Sequence, residues 1–184
     1  MPVLRSDAAR SRARILDAAG KHTAQDLRLN EIAREAGVGV ATVYRHFPTV
    51  HALIEALTID TIDRLLAISR QAAAGPDADE AFSFYLRSVL TLLLEDDGLQ
   101  TILLSHDDET PEMRGAKSEI VATASGLLAR AKDAGAVRDD LTLDQLEHLI
   151  CGIEYAVRLG APGDRATLLE VLLAGIRPPD PRDG

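Results

Sequence analysis

Apolar residues recur every three or four positions along most of this chain of 184 residues, a spacing that is typical of helices with one buried face. The pattern predicts about nine helices and no strand. Glycine, proline and short polar stretches separate the predicted helices, as helix ends require. These helices cover Asp7 to about Thr23, Leu29 to Ala36, Val40 to Phe47, Thr49 to about Ala74, Asp79 to Glu95, Gly98 to Ser105, Glu112 to Ala134, Leu143 to Leu159 and Arg165 to Ile176.

Polar residues suited to helix capping stand at four of the predicted helix starts: Ser6, Thr49, Thr142 and Asp164. Their side-chain oxygens are expected to accept hydrogen bonds from backbone N–H groups that have no partner within the helix. Gly37 ends the second helix, and Pro48 ends the third because proline disfavours a helical conformation in the residue before it. The proline-rich tail, residues 178–184, is expected to be disordered.

Composition supports an all-helical protein with a substantial core. Hydrophobic residues make up 46% of the chain and aromatic residues 3%, and the excess of Ala and Leu favours helices over a β-sandwich. The single cysteine, Cys151, excludes a disulfide framework and a cysteine-rich zinc site. No signal peptide is visible, and the longest apolar run, Val89 to Leu94, which Thr91 interrupts, is too short to span a membrane. We therefore expect a cytoplasmic protein without a membrane partner.

Charge is distributed unevenly along the chain. The formal net charge is −9, which excludes a protein that is basic throughout. Residues 1–48 nevertheless contain eight Lys and Arg residues against five Asp and Glu residues, a net charge of +3, while residues 49–184 carry −12. This asymmetry suggests a small anion-binding head, residues 1–48, on an acidic body, residues 49–177.

The stretch from Arg28 to Phe47 has the spacing of two short helices that cross at a steep angle. Ile32 and Val43 are expected to face the core, and Ala33 is small at the point where the helices touch. Gly37 can adopt the left-handed conformation that the turn needs, because it lacks a Cβ atom. The pattern predicts a helix-turn-helix motif over residues 28–47.

This motif and the helix before it resemble the DNA-binding domain of the TetR family of bacterial transcriptional regulators. The resemblance lies in ArgIleLeuAspAlaAla at 14–19, GluIleAlaArgGluAlaGlyVal at 31–38 and ThrValTyrArgHisPhePro at 42–48, followed by Ala52 and Leu53. It implies an all-helical homodimer with an N-terminal DNA-binding domain and a C-terminal domain for a small effector and for dimerisation, without a cofactor or catalytic residues. The chain departs from the family pattern in a shorter connection between Ala19 and Glu31, and in Val50, where a lysine is often found.

The exposed face of the third helix is expected to read a DNA groove. Thr42 and Arg45 are the candidates for base edges, because arginine hydrogen-bonds guanine and threonine can touch thymine. By the resemblance, Tyr44 and His46 contact phosphate, although Tyr44 can equally be a packing residue and His46 can cap its helix. Arginines of the first helix add charge without sequence information, unless they form an ordinary solvated face. The predicted DNA-binding set is Arg12, Arg28, Val40, Ala41, Thr42, Tyr44, Arg45, His46 and Thr49.

The body is expected to bind the effector between its middle helices, where apolar residues could line a cavity with a few polar contacts. The same residues are compatible with an ordinary core. The predicted effector set is Phe82, Tyr85, Val89, Leu103, His106, Met113, Val121 and Glu154.

The last two helices carry more apolar surface than one neighbouring helix need cover, which predicts a dimer interface. Burial within a single subunit is the alternative. Paired across a two-fold axis, the helices would form a four-helix bundle that holds two heads about one DNA turn apart, so the operator would be palindromic. The predicted dimer set is Leu146, Leu149, Ile150, Ile153, Val157, Leu168, Leu169, Leu172 and Ile176.

These observations lead to the hypothesis of a TetR-like repressor that leaves a palindromic operator in double-stranded DNA when a small effector binds. Two alternatives remain open. One is a helical ligand-binding or interaction protein that has lost its affinity for DNA. The other is a metal-dependent enzyme that uses the cluster from His106 to Glu112, whose imidazole and carboxylate groups could hold a divalent cation unless they form a solvated loop.

Overall fold

The computed structural model describes residues 3–105, 110–161 and 163–179, with side chains from Asp7 onward. Within these ranges the chain forms nine α-helices, one short 3₁₀ helix and no strand, which confirms the predicted all-helical fold. None of the described helices is long and apolar enough to cross a membrane. The elements are α1 (Val3–Ala19), η1 (Ala24–Asp26), α2 (Leu29–Glu35), α3 (Val40–His46), α4 (Val50–Ala74), α5 (Ala78–Glu95), α6 (Gly98–Leu104), α7 (Pro111–Asp133), α8 (Leu143–Leu159) and α9 (Asp164–Gly175).

Two of the predicted helix caps are confirmed. The hydroxyl of Thr49 accepts the N–H of Ala52 at 2.9 Å, at the start of α4. Thr142 and Gln145 form a capping box at the start of α8, in which each side chain accepts the backbone N–H of the other residue. Both helices therefore begin where the sequence places a residue that satisfies an otherwise unpaired donor.

The other two predicted caps are wrong. α1 begins at Val3, so Ser6 lies inside the helix rather than at its N-cap. The sequence around Ser6 is rich in Ala and Arg, which propagate a helix readily and offer no stop signal. Asp164 is the first residue of α9, and Gly163 holds the N-cap position. The Asp164 carboxylate instead accepts the N–H of Ala161, and so orders the loop before the helix.

The chain packs as two compact units. One consists of the residues up to Thr61 together with Asp96–Arg114, and the other of Ile62–Glu95 together with the residues from Gly115 onward. α4 and α7 contribute residues to both units, whereas the predicted domain boundary between residues 48 and 49 lies just before α4 begins. The predicted disordered tail lies outside the described residues from position 180 onward.

In the first unit, α1 packs against both α2 and α3, and α2 packs against α3. Ile15 of α1, Ile32 of α2 and Val43 of α3 are almost completely buried, as their helical spacing predicts. Ala33 is also buried. This three-helix core fixes the relative orientation of α2 and α3, the two helices of the predicted motif.

In the second unit, arginine side chains connect helices that also pack through apolar residues. α8 packs against α5 and α9. Arg158 of α8 donates to the carbonyl oxygen of Leu93 on α5, and Arg165 of α9 donates to the hydroxyl of Thr91 on the same helix. Arg130 of α7 donates to two backbone carbonyls at the C-terminal end of α4. Guanidinium groups suit this role because they satisfy helix-end carbonyls that lack intrahelical partners.

The turn between α2 and α3 depends on Gly37. Its φ angle is +60°, in the left-handed region that glycine tolerates best. The N–H of Gly37 bonds the carbonyl of Arg34, and the N–H of Val38 bonds that of Ala33, a Schellman arrangement that satisfies the last carbonyls of α2. A Cβ atom at Gly37 would also lie 2.5 Å from Nη2 of Arg14. The backbone conformation therefore requires glycine, and an added Cβ atom would in addition displace the end of the Arg14 side chain.

Gly37→Ala is expected to reduce the free energy of unfolding by about 1 to 2 kcal/mol, because an L-residue in the left-handed region is strained. Gly126→Ala is the matched control. Gly126 lies inside α7 with nothing within 4 Å of an added Cβ, so this change should stabilise the protein by about 0.5 to 1 kcal/mol. Chemical denaturation of both variants measures whether the free energy of unfolding changes in opposite directions. A Gly37→Ala protein as stable as the wild type would contradict the strained conformation of this residue.

Candidate nucleic-acid interface

The connection from α1 to α2 is short, and residues within it hold its conformation. Leu27 is 1% exposed and anchors the segment in the core. Arg28, a predicted DNA contact, has an exposed guanidinium that donates to the backbone carbonyls of Gln25 and Leu27. A cationic side chain therefore lies directly before α2, which begins at Leu29.

A hydrogen bond between side chains also connects this segment to the end of α2. Nε2 of His22 lies 2.8 Å from Oε2 of Glu35. The hydrogen bond from His22 is the main reason that the pKa of the Glu35 carboxyl lies below its ordinary value, and the charges of Arg34 and Lys21 add to the effect. The sequence showed the shortened connection but gave no sign of this pair, because the two residues become neighbours only when α1 and α2 pack.

Arg14 links α1 to the turn of the motif. Its Nη2 donates to the carbonyl oxygen of Gly37 at 3.1 Å. The acceptor is neutral, so the guanidinium keeps its full positive charge while its position is fixed. The absence of a Cβ atom at Gly37 is what gives the Arg14 side chain room to reach this carbonyl.

The outer face of α3 carries the predicted base-reading residues. Val43 is fully buried against the rest of the motif, whereas Val40 and Tyr44 are 45% and 47% exposed. Ala41 and Arg45 are exposed as well, and Thr42 and His46 are half-buried. The structure thus brings the predicted residues of α3 to one accessible surface, with Val43 as the buried anchor on the opposite side.

Arg45 is held against its own helix. Its Nη2 donates to Oγ1 of Thr42 at 3.0 Å, and its Nε donates to the carbonyl oxygen of Ala41 at 3.3 Å. The two predicted base-contacting residues, Thr42 and Arg45, therefore form a single unit on the surface of α3. Both acceptors are neutral, so the guanidinium retains its charge and its remaining N–H donors for another partner.

Arg12 and His46 both lie beside Phe47, which is 2% exposed. The guanidinium carbon of Arg12 is 5.4 Å from the centre of the Phe47 ring, a cation–π contact that joins α1 to the end of α3. The ring of His46 is tilted against the same phenylalanine at 6.2 Å. Thr49 follows directly, with its hydroxyl engaged as the cap of α4.

The predicted effector residues do not fall into one group. Phe82, Tyr85 and Val89 are buried on α5 in the second unit, where Glu154 is also buried on α8 and bound to Arg158. Burial raises the pKa of Tyr85 to about 12, despite a hydrogen bond with Ser69. Val121 is exposed on α7, whereas Leu103 and Met113 belong to the first unit, and His106 lies outside the described residues.

The predicted dimer residues differ in their exposure. Leu146, Ile150, Leu169, Leu172 and Ile176 are buried within their own chain, Ile153, Val157 and Leu168 are half-buried, and Leu149 is exposed. Between α8 and α9 lies an open groove of about 700 Å³, with Leu149, Ile153 and Val171 among its lining residues. Tyr155, Leu159 and Val171 are more than 60% exposed, and none of the three belongs to the predicted dimer set.

The proposed metal-binding stretch lies mostly outside the described residues. Of its acidic side chains, Glu112 is described, and it is exposed in the first turn of α7. Among the residues that the structure describes, no group of three or more His, Cys, Asp or Glu side chains is arranged to hold a metal ion. Cys151 is half-buried on α8.

Two family models match the chain. The model for bacterial regulatory proteins of the tetR family matches residues 15–57, and the model for the transcriptional regulator SbtR-like C-terminal domain matches residues 77–178. The second match alone extends over more than half of the chain. A comparison with the curated proteins finds no match.

Solved structures give the same assignment. The TetR transcriptional regulator SCO0520 from Streptomyces coelicolor is 31% identical over 92% of this chain and 99% of its own, with a TM-score of 0.53. The ketosteroid transcriptional regulator KstR2 of Mycobacterium tuberculosis, 18% identical over 91% of this chain and 95% of its own, has a TM-score of 0.64. FadR from Bacillus subtilis, solved in complex with stearoyl-CoA, is 19% identical over 90% of this chain and 99% of its own, with a TM-score of 0.55. The last two share the fold, and the family models together with the first relative show that the chain belongs to the TetR family of bacterial transcriptional regulators.

Proposed function

We propose that this regulator is a cytoplasmic repressor, not an enzyme, that binds a palindromic operator as a homodimer and releases it when a small molecule binds the C-terminal domain. The carrying observation is the accessible surface of α3, on which Thr42 and Arg45 stand together above a buried Val43. The surrounding residues 1–48 have a net charge of +3, which suits them to approach phosphate.

In this proposal each predicted DNA-contacting residue either recognises bases or binds the phosphate backbone. Arg45 and Thr42 read base edges in the major groove, with Val40 and Ala41 offering apolar surface to thymine methyl groups. Tyr44, His46 and Thr49 bind phosphate and set the register of α3, and Arg12 and Arg28 add charge next to the backbone. Thr49 can serve both as a cap and as a phosphate contact, because the N–H groups at the start of α4 also attract anions.

Arg45→Ala is expected to weaken operator binding by about 1 to 3 kcal/mol and to relax selectivity at one base pair, because a bidentate guanine contact is lost. Arg12→Ala should instead weaken operator and random duplex by similar factors and reduce the salt slope by about one. Fluorescence anisotropy at several salt concentrations measures both effects, with an operator that the wild type selects from random duplexes.

Equal losses on operator and random DNA for Arg45→Ala would remove this residue from base recognition. A wild type that selects no sequence at any salt concentration would favour the alternative, a helical ligand-binding or interaction protein without DNA affinity. Melting curves of each variant serve as the control, because Arg12 also covers Phe47 and its loss can lower stability without any role in DNA binding.

The homodimer forms through α8 and α9 in this proposal. The groove between them is lined mostly by apolar side chains, with Arg138, Asp140, Gln145 and His148 among its polar lining residues. Val171 and Leu159 are 62% and 71% exposed at a position where a second subunit would cover them. Residues already buried within their own chain, such as Leu172 and Ile176, would then pack beneath the residues that contact the second subunit. A two-fold axis through this surface would pair each helix with its own copy.

Val171→Asp is expected to raise the dimer dissociation constant by at least about tenfold, because burying an unpaired carboxylate twice in a symmetric interface is costly. Val121→Asp provides a matched control, since Val121 is also an exposed helical valine but lies on α7. Sedimentation velocity over a concentration series measures both. A monomeric wild type, or equal effects of the two substitutions, would contradict this interface.

The effector binds the second unit near α5 in this proposal. Phe82, Tyr85 and Val89 follow one another along one face of that helix, and all three are buried. Tyr85 is neutral at physiological pH, as an ordinary tyrosine is, and burial raises its pKa further, to about 12, so it can donate a hydrogen bond to a ligand without carrying charge. Binding there would favour a conformation in which the two heads of the dimer no longer match adjacent grooves.

A small molecule that raises the melting temperature of the protein is expected to raise the operator dissociation constant by about five- to 150-fold, the usual range of allosteric coupling. Tyr85→Phe should weaken binding of that molecule while leaving operator affinity without it unchanged. The experiment screens a metabolite library by thermal shift and then titrates each hit into the operator complex. Saturating hits that leave operator affinity unchanged would contradict release by an effector.

A further inference from the structure

Two consecutive aspartates at the start of α6 bind three different parts of the first unit. Asp96 accepts the hydroxyl of Thr61 on α4 at 2.6 Å and the N–H of Gly98 at 3.0 Å. Asp97 accepts the backbone N–H of Ala24 at 2.8 Å, across 73 positions of sequence. We call Asp96, Asp97 and Gly98 the α6 corner.

The hydrogen bond from Ala24 to Asp97 satisfies a backbone N–H at the start of η1 that no neighbouring side chain caps. Ala24 is the first residue of η1, and the preceding Thr23 makes no side-chain cap there because its hydroxyl donates to Asp26 instead. Asp97 in turn occupies the N-cap position of α6 but does not cap its own helix. Its carboxylate therefore serves a distant helix start, while Asp96 holds the N–H of Gly98.

The α6 corner is held closely against α4. A Cβ atom at Gly98 would lie 2.7 Å from Oγ1 of Thr58 and 3.0 Å from Cγ2 of Ile54. Gly98 and Thr58 are both buried, so this contact leaves little space for the corner to shift. The backbone beside Asp97 is consequently held in place, and from there the exposed Asp97 side chain reaches the N–H of Ala24.

From Ala24, which Asp97 holds, the chain leads directly to the helix-turn-helix motif. η1 ends at Asp26, Leu27 is buried in the core, and α2 begins at Leu29. α2 and α3 pack tightly against each other through Ala33 and the turn at Gly37. A restraint on Ala24 therefore restrains the pair of helices as a body.

We propose that Asp97 is a positioning residue for DNA recognition: its hydrogen bond to Ala24 fixes the segment before α2 and thereby holds α3 in the orientation that reads base edges. Asp97 acts through the backbone of η1 and does not touch DNA. The proposal rests on the proposed role of α3 in reading the operator. It predicts that loss of the bond affects the operator complex, which needs α3 in one orientation, more than the looser complex with random DNA.

The test compares Asp97→Ala, Asp97→Asn and Asp77→Ala in the full-length protein. Asp77 is the matched control, because its carboxylate accepts the N–H of Glu80 at 2.8 Å and so caps a helix start in the second unit. Three quantities are measured for each variant: hydrogen exchange of the Ala24 amide by NMR, the dissociation constant for the selected operator, and that for a random duplex.

Asp97→Ala is expected to raise the operator dissociation constant about five- to tenfold, with less than about a twofold change on random DNA, and to accelerate exchange at Ala24 about tenfold. Asp97→Asn keeps an acceptor oxygen and should remain within about threefold of the wild type on the operator. Asp77→Ala should change neither DNA affinity nor exchange at Ala24, even if its melting temperature falls as far as that of Asp97→Ala.

Faster exchange at Ala24 in Asp97→Ala together with unchanged operator selectivity would overturn the positioning role and leave the proposed function intact. Equal loss of operator affinity in Asp77→Ala and Asp97→Ala would also overturn it, since the effect would then follow stability alone. A wild type that shows no sequence preference would overturn the proposed function and, with it, any role of Asp97 in recognition. If Asp97→Ala does not fold, the test relies on Asp97→Asn. An Asp97→Asn protein whose Ala24 amide exchanges as slowly as in the wild type, but which no longer prefers the operator over random DNA, would contradict the proposal.

Discussion

The close contact of α2 with α3 is the constraint on which the rest of the first unit depends. It needs a small residue where the helices touch, which Ala33 provides, and a left-handed turn, which Gly37 provides at φ +60°. Only with that turn does α3 present Tyr44 and Arg45 outward while Val43 stays buried. α1 then packs on both helices, and Arg14 reaches the carbonyl of Gly37 through the space that a Cβ atom would fill.

Much of the fold was predictable because its helix ends are encoded locally. The caps at Thr49 and Thr142 and the turn at Gly37 each involve residues within a few positions of one another, so a reading of the sequence finds them. The start of α1 was missed because the residues around Ser6 continue a helix as readily as they begin one.

The candidate site was predictable in its residues but not in its contacts. Helical spacing alone puts Thr42 and Arg45 on one face, and the structure adds the hydrogen bond that joins them. The pairing of Ala24 with Asp97 had no signal in the sequence, since 73 positions separate the two residues and tertiary packing alone brings them together. Contacts between helices of this kind depend on the packing of several elements at once, so periodicity cannot reveal them.

The distribution of arginine partners gives the uneven charge of the chain a structural meaning. In the first unit, Arg14, Arg28 and Arg45 donate to backbone carbonyls or a hydroxyl, which are neutral, so each is held in place and keeps its charge. In the second unit, Arg64, Arg70, Arg138 and Arg177 pair with carboxylates, which cancel much of their field, while Arg130 and Arg165 donate to neutral oxygens. Arg10 of the first unit also pairs with a carboxylate, that of Asp7. Phosphate would therefore be attracted to ordered, uncompensated guanidinium groups near α3, and the surplus of acidic residues elsewhere would discourage binding of DNA in any other orientation.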